Sequence, residues 1–540
     1  MKRKQLDTEP TDLPRPKKIK TPMATQKIPL TAQEQKLRKL LLDVAGFIDE
    51  AKKIEEKIEL RWAGGWVRDK LLDIPSHDID TAINVMTGED FCLQLQEYCN
   101  DPKNIEKHSL GPKDLGNIHV IAANPEKSKH LATATKRILG FDVDFVNLRK
   151  EIYSDDSRNP QMEFGTAVED AVRRDATINA LFYNLHTDQV EDFCGGLKDI
   201  QAKRIRTPLE PLTTFTEDPL RVLRLIRFSS RLGFKIDPET EVPMSDPAVS
   251  EALKVKISRE RVGVEVEKMF KGNNPRSALQ LINRLNLYPV VFTDPTIEGV
   301  PIPSTSKWHF AYDCLEELKS NETPGSIYNS LVRSDDAKFI AWVLAAVAPW
   351  ANIPTPEPAK PKTKPPLPFG TLVVREGIKT NSKVCDAVTG AFRNFEEITK
   401  LRDAIKRKDA SINERDTVGM LIRKWDFLGK NWRLQVLLAV LVEGMNNGES
   451  SYENLFRDWQ LFIDHLTDMD VMDAPSLRLL VNGDDLKEAL GGIKPGMWMK
   501  PALDVCIEWQ LRNPGNEDKE AAMNEVKMKR NELKIPDAKK

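Results

Sequence analysis

At 540 residues the chain is long enough for several domains, each with its own core. With 80 basic against 82 acidic side chains and a formal net charge of −2, it lacks a uniformly basic coat, so any surface for nucleic acid must be local. Six irregularly spaced cysteines without a Cys-x-x-Cys pair, and seven histidines without ligand spacing, argue for reduced thiols and against a zinc site.

The first 30 residues carry two basic clusters, Lys2-Arg-Lys4 and Pro14-Arg-Pro-Lys-Lys-Ile-Lys20, spaced as in a nuclear import signal or a solvated tail. Asp7, Glu9 and Asp12 make them a poor mitochondrial presequence. A helix is expected from Ala32 to Glu56. Leu60 to Ala63 then reads as a short strand and Trp66 to Leu72 as a helix, with Gly64-Gly65 as the turn that lets a phosphate approach a helix N-terminus. Ten residues after Arg68 comes Asp78-Ile-Asp80. Side chains alternate along a strand, so both carboxylates leave one face and can hold Mg²⁺. Strand, glycine turn, basic helix and acidic strand occur in the order that nucleotidyl transfer requires.

Four segments resemble the signatures of class II tRNA nucleotidyltransferases, the CCA-adding enzymes, which share a head domain with bacterial poly(A) polymerases. They are Ala63-Gly-Gly-Trp-Val-Arg-Asp through Ser76-His-Asp-Ile-Asp-Thr-Ala; Arg173-Arg174-Asp175-Ala-Thr-Ile-Asn179-Ala180; Asp192-Phe-Cys-Gly-Gly-Leu-Lys-Asp199; and Glu217-Asp218-Pro-Leu-Arg221-Val-Leu-Arg224-Leu-Ile-Arg227-Phe. The match runs from about Arg61 to Phe234 in the family's order. The resemblance implies Asp78 and Asp80 as catalytic metal ligands, with an acid of the Phe141 to Arg149 strand as a third metal-side group. Asp144 is assigned to that place, with Asp142 on the same face as the alternative.

By the same resemblance Gly64, Gly65, Arg68 and Arg174 are nucleotide-binding, and Asp218 and Arg221 select the base. Cytosine and adenine both offer an exocyclic amino donor beside a ring-nitrogen acceptor, which a carboxylate and a guanidinium can read, whereas guanine and uracil invert that pattern. Arg224 and Arg227 are expected near the triphosphate or behind the base readers, and Arg173, Asp175, Asn179 and Glu217 in supporting roles. Without the resemblance, Asp218 before Pro219 reads as a helix N-cap. Arg221, Arg224, Arg227 and Arg231, spaced by three and four, line one side of that helix, with Leu220, Leu223, Leu225, Ile226 and Phe228 on the others.

The expected fold is α+β: a nucleotidyltransferase head of the polymerase-β-like type, a mixed sheet with helices, followed by an all-helical neck, body and tail. The expected segments are a disordered basic stretch 1–30, head 31–151, neck 152–271 with the templating helix, body 272–351, Pro-rich linker 352–369, tRNA-binding tail 370–513 and charged end 514–540. The polar stretch between Asn124 and Gly140 is either the mobile head loop of the relatives or a plain solvent loop. In the tail, Arg423-Lys-Trp425 and Trp432-Arg433 can bind RNA or sit in the core, and Asn482-Gly-Asp-Asp-Leu486 and Lys494-Pro-Gly-Met-Trp498 loosely resemble the family's tRNA-holding segment.

Leu434 to Val442, the most apolar run, is too short to span a bilayer, so no membrane is expected as a partner. The resulting expectation is template-independent addition of CCA to the tRNA 3′ acceptor end from CTP and ATP with Mg²⁺, in nucleus and cytoplasm, with a mitochondrial form left open. The alternatives are a poly(A) polymerase and a catalytically dead RNA-binding protein. Poly(A) polymerases with this head usually carry Gly, two basic residues and Phe, a run missing between Leu110 and Ala122, and the intact acids and arginines speak against decay.

Overall fold

The computed structural model describes residues 26–51, 56–121, 133–152, 161–297, 299–355, 365–428, 430–448 and 451–536. The chain divides into two compact units, Met1–Lys256 and Ile257–Lys540. The expected import signal and the centres of the head loop and Pro-rich linker lie outside the described residues.

In the first unit, Thr31 and Glu34 form a capping box that starts α1 (Ala32–Glu50), and Leu37, Leu40, Leu41, Val44 and Ile48 bury one stripe of it. There follow β1 (Leu60–Ala63), α2 (Gly65–Leu71), β2 (Asp78–Ile83), α3 (Gly88–Cys99), α4 (Pro102–Lys107), β3 (Leu115–Ile121), β4 (Thr133–Ile138) and β5 (Phe141–Asn147). A small hairpin, β6 (Arg149–Ile152) with β7 (Gln161–Phe164), leads to α5 (Ala167–Val172), β8 (Leu181–Asn184), β9 (Gln189–Asp192), α6 (Gly196–Gln201), α7 (Pro211–Glu217) and α8 (Leu220–Leu232). The seven-stranded sheet has the order β3-β4-β5-β2-β1-β8-β9. Within this sheet, among the described residues, only β2 and β5 pair in parallel, so the sheet is mixed, as expected.

Two strands depart from the sequence reading. Thr133–Ile138 falls in the stretch read as loop, yet it pairs with both β3 and β5, because Ala134, Lys136 and Ile138 alternate inward and the β-branched Thr135 between them favours extended backbone. The sheet also continues beyond residue 151: β8, buried at all four positions, pairs with β1 and carries β9 on its outer side. Continuous burial hides the alternation that marks a strand in sequence.

The second unit is helical, with its longest helix, Ser382–Arg407, packed along Trp432–Asn447. Leu434 to Val442 is buried there, and among the described residues no helix is long and apolar enough to cross a membrane. Trp425 and Trp432 are core residues, Trp425 donating to Glu397 at 2.6 Å, while Arg423 and Arg433 donate to the carbonyls of Ala474 and Met472 at 2.6 and 2.8 Å. Those two pairs therefore bind their own fold and offer no ring on which a base could stack. Asn482 caps Gly483–Ala489, and in Lys494 to Trp498 the methionine is exposed and the tryptophan buried.

Candidate active site

The site grows out of the turn after β1. Gly64 has φ +64°, and a Cβ there would stand 2.7 Å from Arg174 Nη1 and 3.7 Å from Asp80 Oδ2, so glycine is required on two counts. Its N–H donates to the carbonyl of Leu181 at 3.1 Å, holding β1 to β8. Next to this turn, β2 carries Asp78 and Asp80 on one face. In the parallel register Asp78 pairs with Asp142 and Asp80 with Asp144. Thr135 Oγ1 on β4 donates to Asp144 at 2.5 Å. Asp80 is open to solvent through the cleft but crowded by protein on its other sides. That burial pushes its carboxyl above the ordinary range; Arg174 opposes the shift, and Asp144 and Asp78 add to it.

Asp80 lies at one end of a cleft of about 540 Å³ whose walls are dominated by arginine. Gly64, Gly65, Arg68, Arg173, Arg174, Asp175, Asn179, Asp218, Arg221, Arg224 and Arg227 all line it. Asp78, Asp144 and Glu217 are outside this lining: Asp78 and Asp144 stand beside Asp80 on the sheet, and Glu217 ends α7.

Asn179 is the hub. Its side-chain oxygen accepts from Arg68 Nη1 at 2.5 Å, its amide donates to Asp175 at 2.9 Å, and its carbonyl accepts from Arg174 Nη1 at 3.1 Å. Arg224 Nε reaches Asp175 at 2.5 Å. Although burial opposes ionisation, Arg224 and the Asn179 amide bring the Asp175 carboxyl down to about 2. Arg221 donates to the Arg173 carbonyl at 2.8 Å and lies 3.9 Å from the Asp218 carboxylate.

Asp218 does not cap α8. Pro219 holds the cap position; the Asp218 backbone carbonyl takes the Arg221 N–H at 3.0 Å, and the residue lines the cleft. The cause is local: with φ −130° and ψ 87°, Asp218 ends α7 as well as preceding α8.

Several contributors were invisible in the sequence reading. Asp170 on α5 binds Arg173 Nε at 2.9 Å and Arg174 Nη2 at 2.8 Å; burial opposes its charge, but the two guanidiniums hold it below the carboxylate range. Only its spacing of three and four residues from those arginines could have signalled it. Asp69 accepts from Arg68 at 2.6 Å and from Arg231 at 3.0 Å, and so joins α2 to α8. Phe228, expected on the apolar side of α8, instead lines the cleft among the arginines. The third signature is structural. Asp192 accepts the N–H groups of Cys194, Gly195, Gly196 and Leu197, and buried Asp199 accepts from Thr177 at 2.6 Å, bracing the segment that carries Asn179.

Residues 60–206 match the family described as the poly A polymerase head domain, and residues 233–298 that described as the probable RNA and SrmB- binding site of polymerase A. The chain is 36% identical to the mitochondrial CCA tRNA nucleotidyltransferase of Saccharomyces cerevisiae, over 92% of both chains. It belongs to the class II CCA-adding enzymes. Among other members of this family, tRNA nucleotidyltransferase cca1 of Schizosaccharomyces pombe is 37% identical over 90% of this chain and 94% of its own. Nucleotidyltransferase lcsQ of Purpureocillium lilacinum is 48% identical over 94% and 93%. The Thermotoga maritima CCA-adding enzyme complexed with tRNA shares the fold, with a TM-score of 0.60 at 18% identity, over 94% of this chain and 99% of that one.

Proposed function

We propose that the arginine-walled cleft binds CTP and ATP in turn and that the chain adds CCA to the 3′ end of tRNA without a nucleic-acid template. The observation that carries this reading is the convergence of Asp80, Asp218 and Arg221 on one cleft. Asp80, with Asp78 and Asp144 beside it on the sheet, suits the metal that the reacting phosphate needs, and a carboxylate beside a guanidinium suits the amino and ring-nitrogen edge shared by cytosine and adenine. Solved CCA-adding enzymes of the same fold are complexes with CTP and with ATP, which supports both substrates.

The acids also fit Mg²⁺. Asp80 is crowded by the charges of Asp78 and Asp144, and carboxylate oxygens suit a hard divalent cation; among the described residues no group of three such side chains is already gathered to hold a metal ion. Asp78 and Asp80 would hold it, with Asp144 as the third ligand; its register with Asp80 favours it over Asp142. When bound, the ion supplies activation of the terminal ribose hydroxyl and neutralisation of the triphosphate. In this reading Arg68, Arg174, Arg224 and Arg227 grip phosphate with planar forks, and Asp218 and Arg221 admit C and A. The supporting shell, Arg173, Asp175 and Asn179, keeps those groups in place, so that most of the rate comes from positioning and charge. Two relatives named as mitochondrial, together with the basic clusters at Lys2 and Lys17, support service in more than one compartment.

The test is incorporation into tRNA trimmed to its discriminator base, with each nucleotide alone and then with CTP and ATP together. Two cytidines from CTP and one adenosine afterwards are the expected products. Adenosine tails from ATP alone would make the chain a poly(A) polymerase, and no extension would make it a binding protein.

A further inference from the structure

Phe228 is a buried ring in a charged wall. It lies on α8, four residues after Arg224 and directly after Arg227, and three guanidinium centres surround its ring: Arg227 at 4.4 Å, Arg68 and Arg224 at 5.6 Å each from the centroid. Arg68 comes from α2, so the ring collects cations from two helices. Phe228 is 4% exposed and Arg68 3%, so the contact between these two is shielded from water, a setting in which cation–π attraction is strongest; the Arg224 side chain is 38% exposed. Leucine would fill much of the same volume without the quadrupole that draws the guanidiniums together.

The ring solves a problem of charge. Asp69 and Asp175 already pair with Arg68 and Arg224, and a further carboxylate for the third cation of this wall would compete with the phosphates that the arginines are to bind. An aromatic face attracts a cation without carrying negative charge into the site. We propose that Phe228 is a positioning residue for nucleotide binding: its ring is the shared platform that sets Arg68, Arg224 and Arg227 as a rigid fork for the triphosphate. This rests on the reading that the cleft takes CTP and ATP.

The experiment replaces Phe228 in the full chain by phenylalanines of increasing fluorination, which drain the ring's quadrupole at nearly constant volume, and by tyrosine and leucine. Steady-state addition to trimmed tRNA is then measured. KM for CTP and ATP is expected to rise stepwise with fluorination, by about 10-fold in the most fluorinated form and in Phe228→Leu, with kcat and the KM for tRNA changed by less than about two-fold and Phe228→Tyr near wild type. A nucleotide KM that stays flat across the series overturns the proposal. So does a fall in kcat together with the melting temperature, which would make the ring mere packing. A wild-type chain that extends no tRNA would sink the functional reading instead; CTP affinity measured by titration across the same series would still decide the role of the ring.

Discussion

Asp80 and Asp144 stand side by side across the parallel strands β2 and β5, in register, so a second carboxylate backs the one that lines the cleft. Two like charges at adjacent positions cost the fold energy, and an active site tolerates that cost when both are needed to bind a cation. Asp80→Asn is therefore expected to lower nucleotide incorporation by at least about 10³-fold while tRNA affinity and the thermal midpoint do not fall. Filter binding of trimmed tRNA beside an incorporation assay checks this. Asp144→Asn should show the larger loss when compared with Asp142→Asn, and the reverse order would move the third metal position.

Base choice is expected to lie with Asp218 and Arg221. In that role each would give the nucleobase edge one charge-assisted hydrogen bond, so removing one should cost roughly 10- to 100-fold in kcat/KM for CTP and ATP. Selectivity should fall further than rate. Competition between CTP and UTP for Asp218→Ala and Arg221→Ala measures it directly, and an unchanged preference for C would assign base reading to other residues.

The Asp175 carboxyl gives acid sensitivity a definite sign. It ionises at about 2 in the fold against 3.8 ordinarily, so its stabilisation is complete above about pH 4 and is lost as pH falls through about 2. Asp175→Asn should reduce stability at neutral pH by about 2 kcal/mol, with the two proteins converging below about pH 2. Denaturant titrations across that range give the comparison. A constant gap between them would locate the stabilisation elsewhere.

Gly64→Ala tests the turn. The alanine would have to adopt φ +64° and push Arg174 Nη1 away from 2.7 Å, costing roughly 1–2 kcal/mol of stability and displacing an arginine of the cleft. Nucleotide affinity is expected to fall with stability. Gly140, which also has positive φ but no neighbour within 4 Å of a would-be Cβ, is the control: its alanine variant should lose stability alone.

Local patterns carried most of the site. The Gly64-Gly65 turn, the same-face pair Asp78 and Asp80, and the arginine ladder of α8 are all fixed by spacings of a few residues, and the structure brings their residues together. What escaped depends on distance in sequence. Asp69 meets Arg231 across 162 residues, and Asn179 meets Arg68 across 111, so no short motif announces either. For Asp218, its neighbour Pro219 offered a helix cap as the alternative to base reading, and only the helix ending at Glu217, which fixes its backbone, tells against the cap. Strand β8 was hidden by being buried on both faces, and Trp425 and Trp432 looked usable for RNA only because a sequence does not show which tryptophans are inside.

Helix α8 is moored at three points: Asp69 to Arg231, Asp175 to Arg224, and the Arg173 carbonyl to Arg221. Sliding it by one turn, about 5.4 Å, would rupture all three tethers together. The arginine wall of the cleft is thus denied a ratchet along its own axis.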